Sequence, residues 1–310
     1  MSDLRIIFAG TPEFACPSLR ALIEHRRPVA VLTQPDRPAG RGRRTTFGAV
    51  KRTAVAAAIE VLQPPTLRDD RAVETLRAYA PDLMITAAYG LLLPKSVLRI
   101  PRHGCWNLHA SLLPRWRGAS PIQQAILAGD AHTGVTLMQM DAGMDTGDTI
   151  LHTATGIGAE ETAGELHDRL AELASPLLID ALERLADGTL PAPKPQDDRL
   201  ATHAPRIEKA DAALDWNQDA AQLARKVRAY NPWPIAHGEL AGQTLRVFAA
   251  RPEDTPADAP PGELVRDPNR RSAIRVACGR GVLEILELQA PGRKRVTAEQ
   301  WLNAHPDWRP

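Results

Sequence analysis

From Leu4 to about Ile150, short apolar runs alternate with stretches of helical period, and this alternation restricts the chain more than any other feature. Strand followed by helix, repeated, builds an α/β layer with a mostly parallel sheet and crossover helices. Buried strands are predicted at 5–9 and 29–33, with later ones at 83–88, 105–108 and 135–140. Thr11 and Pro12 read as a helix cap and a first-turn proline ahead of the apolar run 14–23. Residues 35–49 read as a loop, and a helix over about 161–186 closes this part. Between Asp187 and Pro205 the sequence DGTLPAPKPQDDRLATHAP holds four prolines and little apolar periodicity, which predicts an extended linker. Beyond it come an amphipathic helix at 219–230, with Leu223 and Val227 on one face, and alternating segments at 244–249, 273–277 and 282–288. These predict a small β-barrel. A chain of 310 residues has room for two cores, and the predicted division is 1–188, a linker at 189–207, and 208–310.

Charge narrows the partners. Lys plus Arg (38) and Asp plus Glu (37) nearly cancel, so the molecule lacks the strong positive field of a protein that coats nucleic acid, and any RNA contact is local. Cys16, Cys105 and Cys278 are far apart and form no CxxC pair, which argues against a disulfide framework and a zinc ribbon. No segment approaches the roughly 20 apolar residues that span a bilayer. The N-terminal MSDLRIIFAG reads as a strand rather than a secretory signal, so a cytoplasmic location is expected.

The first strand ends in GTPEF and lacks GxGxxG, which disfavours a dinucleotide pyrophosphate at that turn. No GxSxG nucleophile elbow occurs. In open α/β sheets the site lies beyond the carboxyl ends of the strands, and two later strands end in polar, turn-rich sequence. One is NLHASLLPRWRG at 107–118, where strand alternation places Asn107 and His109 on one face. An amide donor beside an imidazole suits oxyanion stabilisation and proton transfer in acyl transfer, although the same pair also serves as a satisfied hydrogen-bonding pair at a strand end. The other is MDAGMDTGD at 140–148, whose carboxylates Asp141, Asp145 and Asp148 are candidates to meet the histidine. Its aspartate spacing does not follow the EF-hand order. After the second strand, Arg37, Arg41, Arg43, Arg44, Lys51 and Arg52 face only Asp36, a basic segment suited either to phosphate contact or to plain solvation.

These segments carry a resemblance. FAGTPEFA at 8–15, TQPDRPAGRGR at 33–43, AAYGLLLPK at 87–95, NLHASLLPRWRGASPIQ at 107–123, GVTLMQMDAGMDTGD at 134–148 and AYNPWP at 229–234 together resemble the methionyl-tRNA formyltransferase family of folate-dependent formyltransferases. The resemblance spans nearly the whole chain. It implies a Rossmann-like formyltransferase domain followed by an OB-like β-barrel domain that binds tRNA. It also implies formyl transfer from 10-formyltetrahydrofolate to the α-amino group of methionyl initiator tRNA, by a monomer without a metal. Asn107, His109 and Asp145 match the family's catalytic trio. The SLLP turn, Ser111, Leu112, Leu113 and Pro114, matches its folate cradle, and Arg41, Arg43 and Arg44 its acceptor-stem loop. Residues 45–49 depart from the family's loop pattern. Within 208–310 there are 15 Lys plus Arg against 14 Asp plus Glu, so a tRNA-facing surface there needs its cations sorted onto one side. Arg225, Lys226 and Arg228, and separately Arg293, Lys294 and Arg295, are the candidate clusters.

Overall fold

The computed structural model describes residues 4–39, 44–265 and 272–308. The chain divides into two compact units, Met1–Pro121 with His132–Gly156 and His167–Ala204, and Ile122–Ala131 with Ile157–Leu166 and Pro205–Pro310.

The first unit is built on a seven-stranded sheet in the order Thr149–Gly156, His132–Gln139, Cys105–His109, Leu83–Ala87, Ile6–Gly10, Ala30–Leu32, Val61–Leu62. The last five run parallel, and the first two are antiparallel additions at one edge. Ile6, Ile7, Phe8 and Ala9 are fully buried, as are Leu83, Met84 and Ile85. Parallel strands covered on both faces read as such unbroken apolar runs, which is why their positions were legible. The register sets Asn107 beside Thr86 and Met138, and His109 beside Thr136. Both polar residues therefore emerge where the central strands end.

Two local expectations are corrected. Thr11 does not cap a helix. A 3-10 turn, Glu13–Ala15, leads into helix Cys16–His25, and the Thr11 hydroxyl donates to the Tyr89 carbonyl at 3.0 Å instead. That bond ties the end of the first strand to the loop after Leu83–Ala87. The segment read as a loop at 35–49 contains a small antiparallel pair, Arg37–Ala39 with Arg44–Thr46, followed by helix Ala49–Ala56. Strand Thr149–Gly156 had no prediction. Apart from the buried Ile150, it alternates partly buried with exposed residues at the sheet edge, and it carries Thr and His among its apolar residues.

The second unit carries an antiparallel sheet that curls as an OB-like half-barrel. Its order is Ala236–Leu240, Gln243–Glu253, Val282–Gln289, Ile274–Ala277, and Val296–Thr297 pairs with Val282–Gln289. Register shifts at Val247/Ala249 and Ala249/Ala250 put irregularities into the eleven-residue strand. Bulges of this kind bend a strand and raise its twist. Helix Ala220–Ala229 begins at Asp219, whose carboxylate accepts from the Ala221 amide at 2.7 Å, and Leu223 and Val227 are fully buried in the barrel core. Helix Ala298–Ala304, not foreseen in the sequence, starts with a capping box of Thr297 and Gln300.

Candidate active site

His109 is 6% exposed, and its Nε2 lies 2.8 Å from the Trp116 carbonyl oxygen. A carbonyl only accepts, so Nε2 carries a proton and Nδ1 is the nitrogen left to face the site. Nδ1 faces Asp145 Oδ2 at 3.6 Å, an ion-pair distance beyond hydrogen-bond range. The same Oδ2 accepts from the Gly118 amide at 2.9 Å. Asn107, two residues before the histidine, has its amide oxygen 2.8 Å from the Thr86 hydroxyl, which donates to it. With the oxygen held, the Asn107 NH2 group is left to donate. One arrangement thus supplies an amide donor, an imidazole in a fixed tautomer and a carboxylate to balance its charge.

Of the three carboxylates in the 140–148 loop, Asp145 is the one that reaches the histidine. Asp141 closes its own turn, accepting from the Gly143 amide at 2.9 Å and the Thr146 hydroxyl at 2.8 Å. The Asp148 backbone carbonyl accepts from the Gln139 amide. Asp145 sits at φ 55°, a left-handed conformation sparsely used outside glycine, and Trp116 at φ 64°. Strain of this kind persists where neighbours over-determine the backbone.

Those neighbours come from the stretch read as a linker. Gln196 Nε2 donates to the Asp145 carbonyl at 2.9 Å and to the Gly147 carbonyl at 2.6 Å, while its Oε1 accepts from Arg117 Nε at 2.9 Å. The Arg117 side chain, 6% exposed, also pairs with Asp198 at 2.9 Å. Thr202 Oγ1 accepts from the Trp116 amide at 2.9 Å, and residues 117–118 pair in parallel with 203–204. Gly118, at φ 122°, could not be another residue, because a Cβ there would lie 2.5 Å from the Ala204 carbonyl oxygen. Gln196, Arg117 and Thr202 escaped the sequence reading. The only sequence sign was RWRG itself, since a proline-rich stretch carries no period from which packing is read.

The SLLP turn is pinned to the neighbouring strand by Thr136, which donates to the Ser111 carbonyl at 2.7 Å and accepts from the Leu113 amide at 3.1 Å. Ser111 is fully buried with its hydroxyl on the Arg115 carbonyl, whereas Leu112, Leu113 and Pro114 are partly exposed. Leu92, after AAYG, and Met144, in the aspartate loop, are exposed apolar side chains. Arg41 and Arg43 lie outside the described residues, and Arg44 opens the second strand of the small hairpin. In the second unit, Arg225 Nε donates to the Leu127 carbonyl, Lys226 Nζ to Ala213 and Arg228 to Glu161. Burial pulls both the Lys226 ammonium and the Arg228 guanidinium below their ordinary values, so this cluster is partly built into the unit rather than offered to solvent. Arg295 pairs with Glu287 and lies over the Phe248 ring at 4.7 Å.

The formyl transferase family model matches residues 4–182, and the model of the formyl transferase C-terminal domain matches 206–306. The chain belongs to the formyl transferase family. Methionyl-tRNA formyltransferase of Stenotrophomonas maltophilia (strain K279a) is 53% identical over 306 residues, covering 99% of both chains. The enzyme of that name from Xanthomonas euvesicatoria pv. vesicatoria (strain 85-10) is 53% identical over 304 residues, 98% of each chain. Among solved structures the fold matches HypX from Aquifex aeolicus in complex with tetrahydrofolic acid, at TM-score 0.63 and 22% identity over 97% of this chain; the match spans 47% of that longer chain. It also matches WlaRD, a sugar 3N-formyl transferase, at TM-score 0.68 and 14% identity over 95% of this chain and all of that one.

Proposed function

We infer that the chain transfers the formyl group of 10-formyltetrahydrofolate to the free α-amino group of methionyl initiator tRNA. The observation that carries the chemistry is His109, locked in one tautomer by Trp116 with its free nitrogen turned to Asp145, two residues from an Asn107 whose amide oxygen is held. Near-full-length similarity to methionyl-tRNA formyltransferases supports the choice of acceptor.

The neutral amine attacks the formyl carbon, forming the new C–N bond as the carbonyl electron pair moves to oxygen. Asn107 Nδ2–H and the imidazolium Nδ1–H of His109 donate to that oxygen. Asp145 balances the imidazolium and accepts the proton that the attacking nitrogen must lose. Return of the electron pair from oxygen breaks the bond to N10 of the folate, and N10 takes as it leaves the proton that Asp145 received from the amine, which restores the carboxylate. No metal enters the scheme.

For the folate, the partly exposed turn of Leu112, Leu113 and Pro114 forms the cradle, while Leu92 and Met144 present apolar surface. The Ser111 hydroxyl is already spent on Arg115, so its contribution is to shape the turn. Arg41, Arg43 and Arg44 contact acceptor-stem phosphates, and 208–310 forms the domain that lies along the tRNA, with 1–188 as the catalytic domain and 189–207 joining them. The test is formyl transfer with methionyl initiator tRNA, methionyl elongator tRNA and glycinamide ribonucleotide as parallel acceptors. Selective formylation of the initiator supports the reading. Activity confined to the small amine overturns the acceptor and keeps the chemistry.

A further inference from the structure

Phe47 is a large aromatic side chain left 48% exposed, yet it is held from two sides. Lys51 Nζ lies 4.0 Å from the centre of its ring. That ammonium is itself fixed, paired with Asp36 and donating to Gln63 Oε1 at 2.7 Å. Gln63 in turn donates to the Gln34 carbonyl at 2.9 Å and to Asp36 Oδ1 at 3.1 Å. On the backbone side, Arg52 donates to the Phe47 carbonyl at 2.8 Å while pairing with Glu13 at 2.8 Å.

An isolated exposed apolar residue needs no explanation, but a mobile surface ring would not be clamped at both carbonyl and π face. The position matters too. Phe47 directly follows the hairpin strand Arg44–Thr46, and a Cβ on the next residue, Gly48, would come within 3.8 Å of the Thr11 carbonyl oxygen at the end of the first strand. The ring thus stands at the carboxyl rim of the sheet, the rim from which Asn107 and His109 emerge. Fixed aromatic faces beside cations are how proteins take hold of unpaired bases, because every base offers a π face and a pre-ordered ring loses little freedom on stacking.

We propose that Phe47, presented by the Lys51–Asp36–Gln63 clamp, is a stacking platform for an unpaired nucleobase at the acceptor end of the tRNA. This rests on the tRNA reading above. It places a binding residue in the part of the loop that departs from the family pattern, and it assigns Lys51 a positioning role.

The experiment compares full-length wild type with Phe47→Ala, Phe47→Leu and Phe47→Trp, measuring KM and kcat for methionyl initiator tRNA and binding of 5-formyltetrahydrofolate. Loss of one base stack predicts a KM about five- to a hundredfold higher for Phe47→Ala, with kcat at saturation and folate binding unchanged. Phe47→Leu keeps apolar bulk and loses the π face, so it follows Phe47→Ala, whereas Phe47→Trp stays within about twofold of wild type. Unchanged KM in Phe47→Ala, or full rescue by leucine, overturns the platform while leaving the tRNA reading intact. A wild-type chain that neither binds nor formylates the tRNA removes both.

Discussion

Asp145 Oδ2 stands 3.6 Å from His109 Nδ1 and takes a 2.9 Å hydrogen bond from the Gly118 amide, so one carboxylate oxygen both faces the imidazole and is anchored to the turn that fixes it. Since Trp116, two residues before Gly118, holds the other ring nitrogen, histidine and carboxylate are aligned by a single three-residue stretch, 116–118.

That alignment separates charge from shape. Asn tolerates the left-handed backbone at 145 and still accepts from the Gly118 amide, so Asp145→Asn leaves the loop in place and removes only the charge. Turnover falls about a hundredfold or more, as for loss of an electrostatic partner of the transition state, while thermal stability stays within a few degrees. Steady-state kinetics beside a thermal melt checks it, and turnover within a few-fold of wild type would remove the carboxylate from the chemistry.

Gln196 acts through Asp145 rather than on substrate. Gln196→Ala frees the Asp145 and Gly147 carbonyls and leaves Arg117 short of an acceptor, at a cost of about 1 kcal/mol for each net hydrogen bond. We expect kcat to drop at least tenfold with KM for tRNA unchanged. A variant that melts earlier but turns over normally would confine Gln196 to stability.

How far the site was readable follows from these two residues. Asn107 and His109 sit at a strand end, where alternation restricts a side chain's direction, whereas the aspartate loop offered three carboxylates and the family resemblance singled out Asp145. Gln196 lies in a proline-rich stretch whose backbone is extended and whose packing depends on bonds to residues 51 and 79 positions away. No local period encodes such pairings. Four of the five parallel strands were legible because both faces are buried, whereas the partly buried Val61–Leu62, the edge strand Thr149–Gly156 and the short capped helix Ala298–Ala304 lacked that signal.

The clamp under Phe47 has a pH signature. The Lys51 ammonium beside Asp36 holds that carboxyl below its ordinary value, with Gln63 adding to the effect. A carboxyl lowered in the folded state contributes stability fully above its unfolded value, about 4, and loses it as pH falls through the lowered folded value. The stability gap between wild type and Asp36→Asn therefore holds from pH 7 to about 5 and shrinks below about 4. Denaturant titrations at pH 7, 5, 4 and 3 measure it, and a gap that widens on acidification would contradict the assignment.

The three cysteines are buried, and burial pushes the Cys105 thiol up to about 12 and the Cys278 thiol to about 11, with Cys16 also raised. Thiolate is the reactive form, so at pH 8 a thiol at 12 is ionised to about one part in ten thousand. Native protein should show no fast reaction with a thiol reagent at pH 8, and all three should react after denaturation. Rapid labelling of Cys105 in the native state would place it outside the core.

Single-turnover transfer from 10-formyltetrahydrofolate to methionyl initiator tRNA in wild type, Asn107→Ala and His109→Ala decides whether these side chains perform formyl transfer. Wild type should transfer the group and each variant should lose about a hundredfold or more, with tRNA binding and the fold retained. Near-wild-type transfer by folded variants would contradict that role.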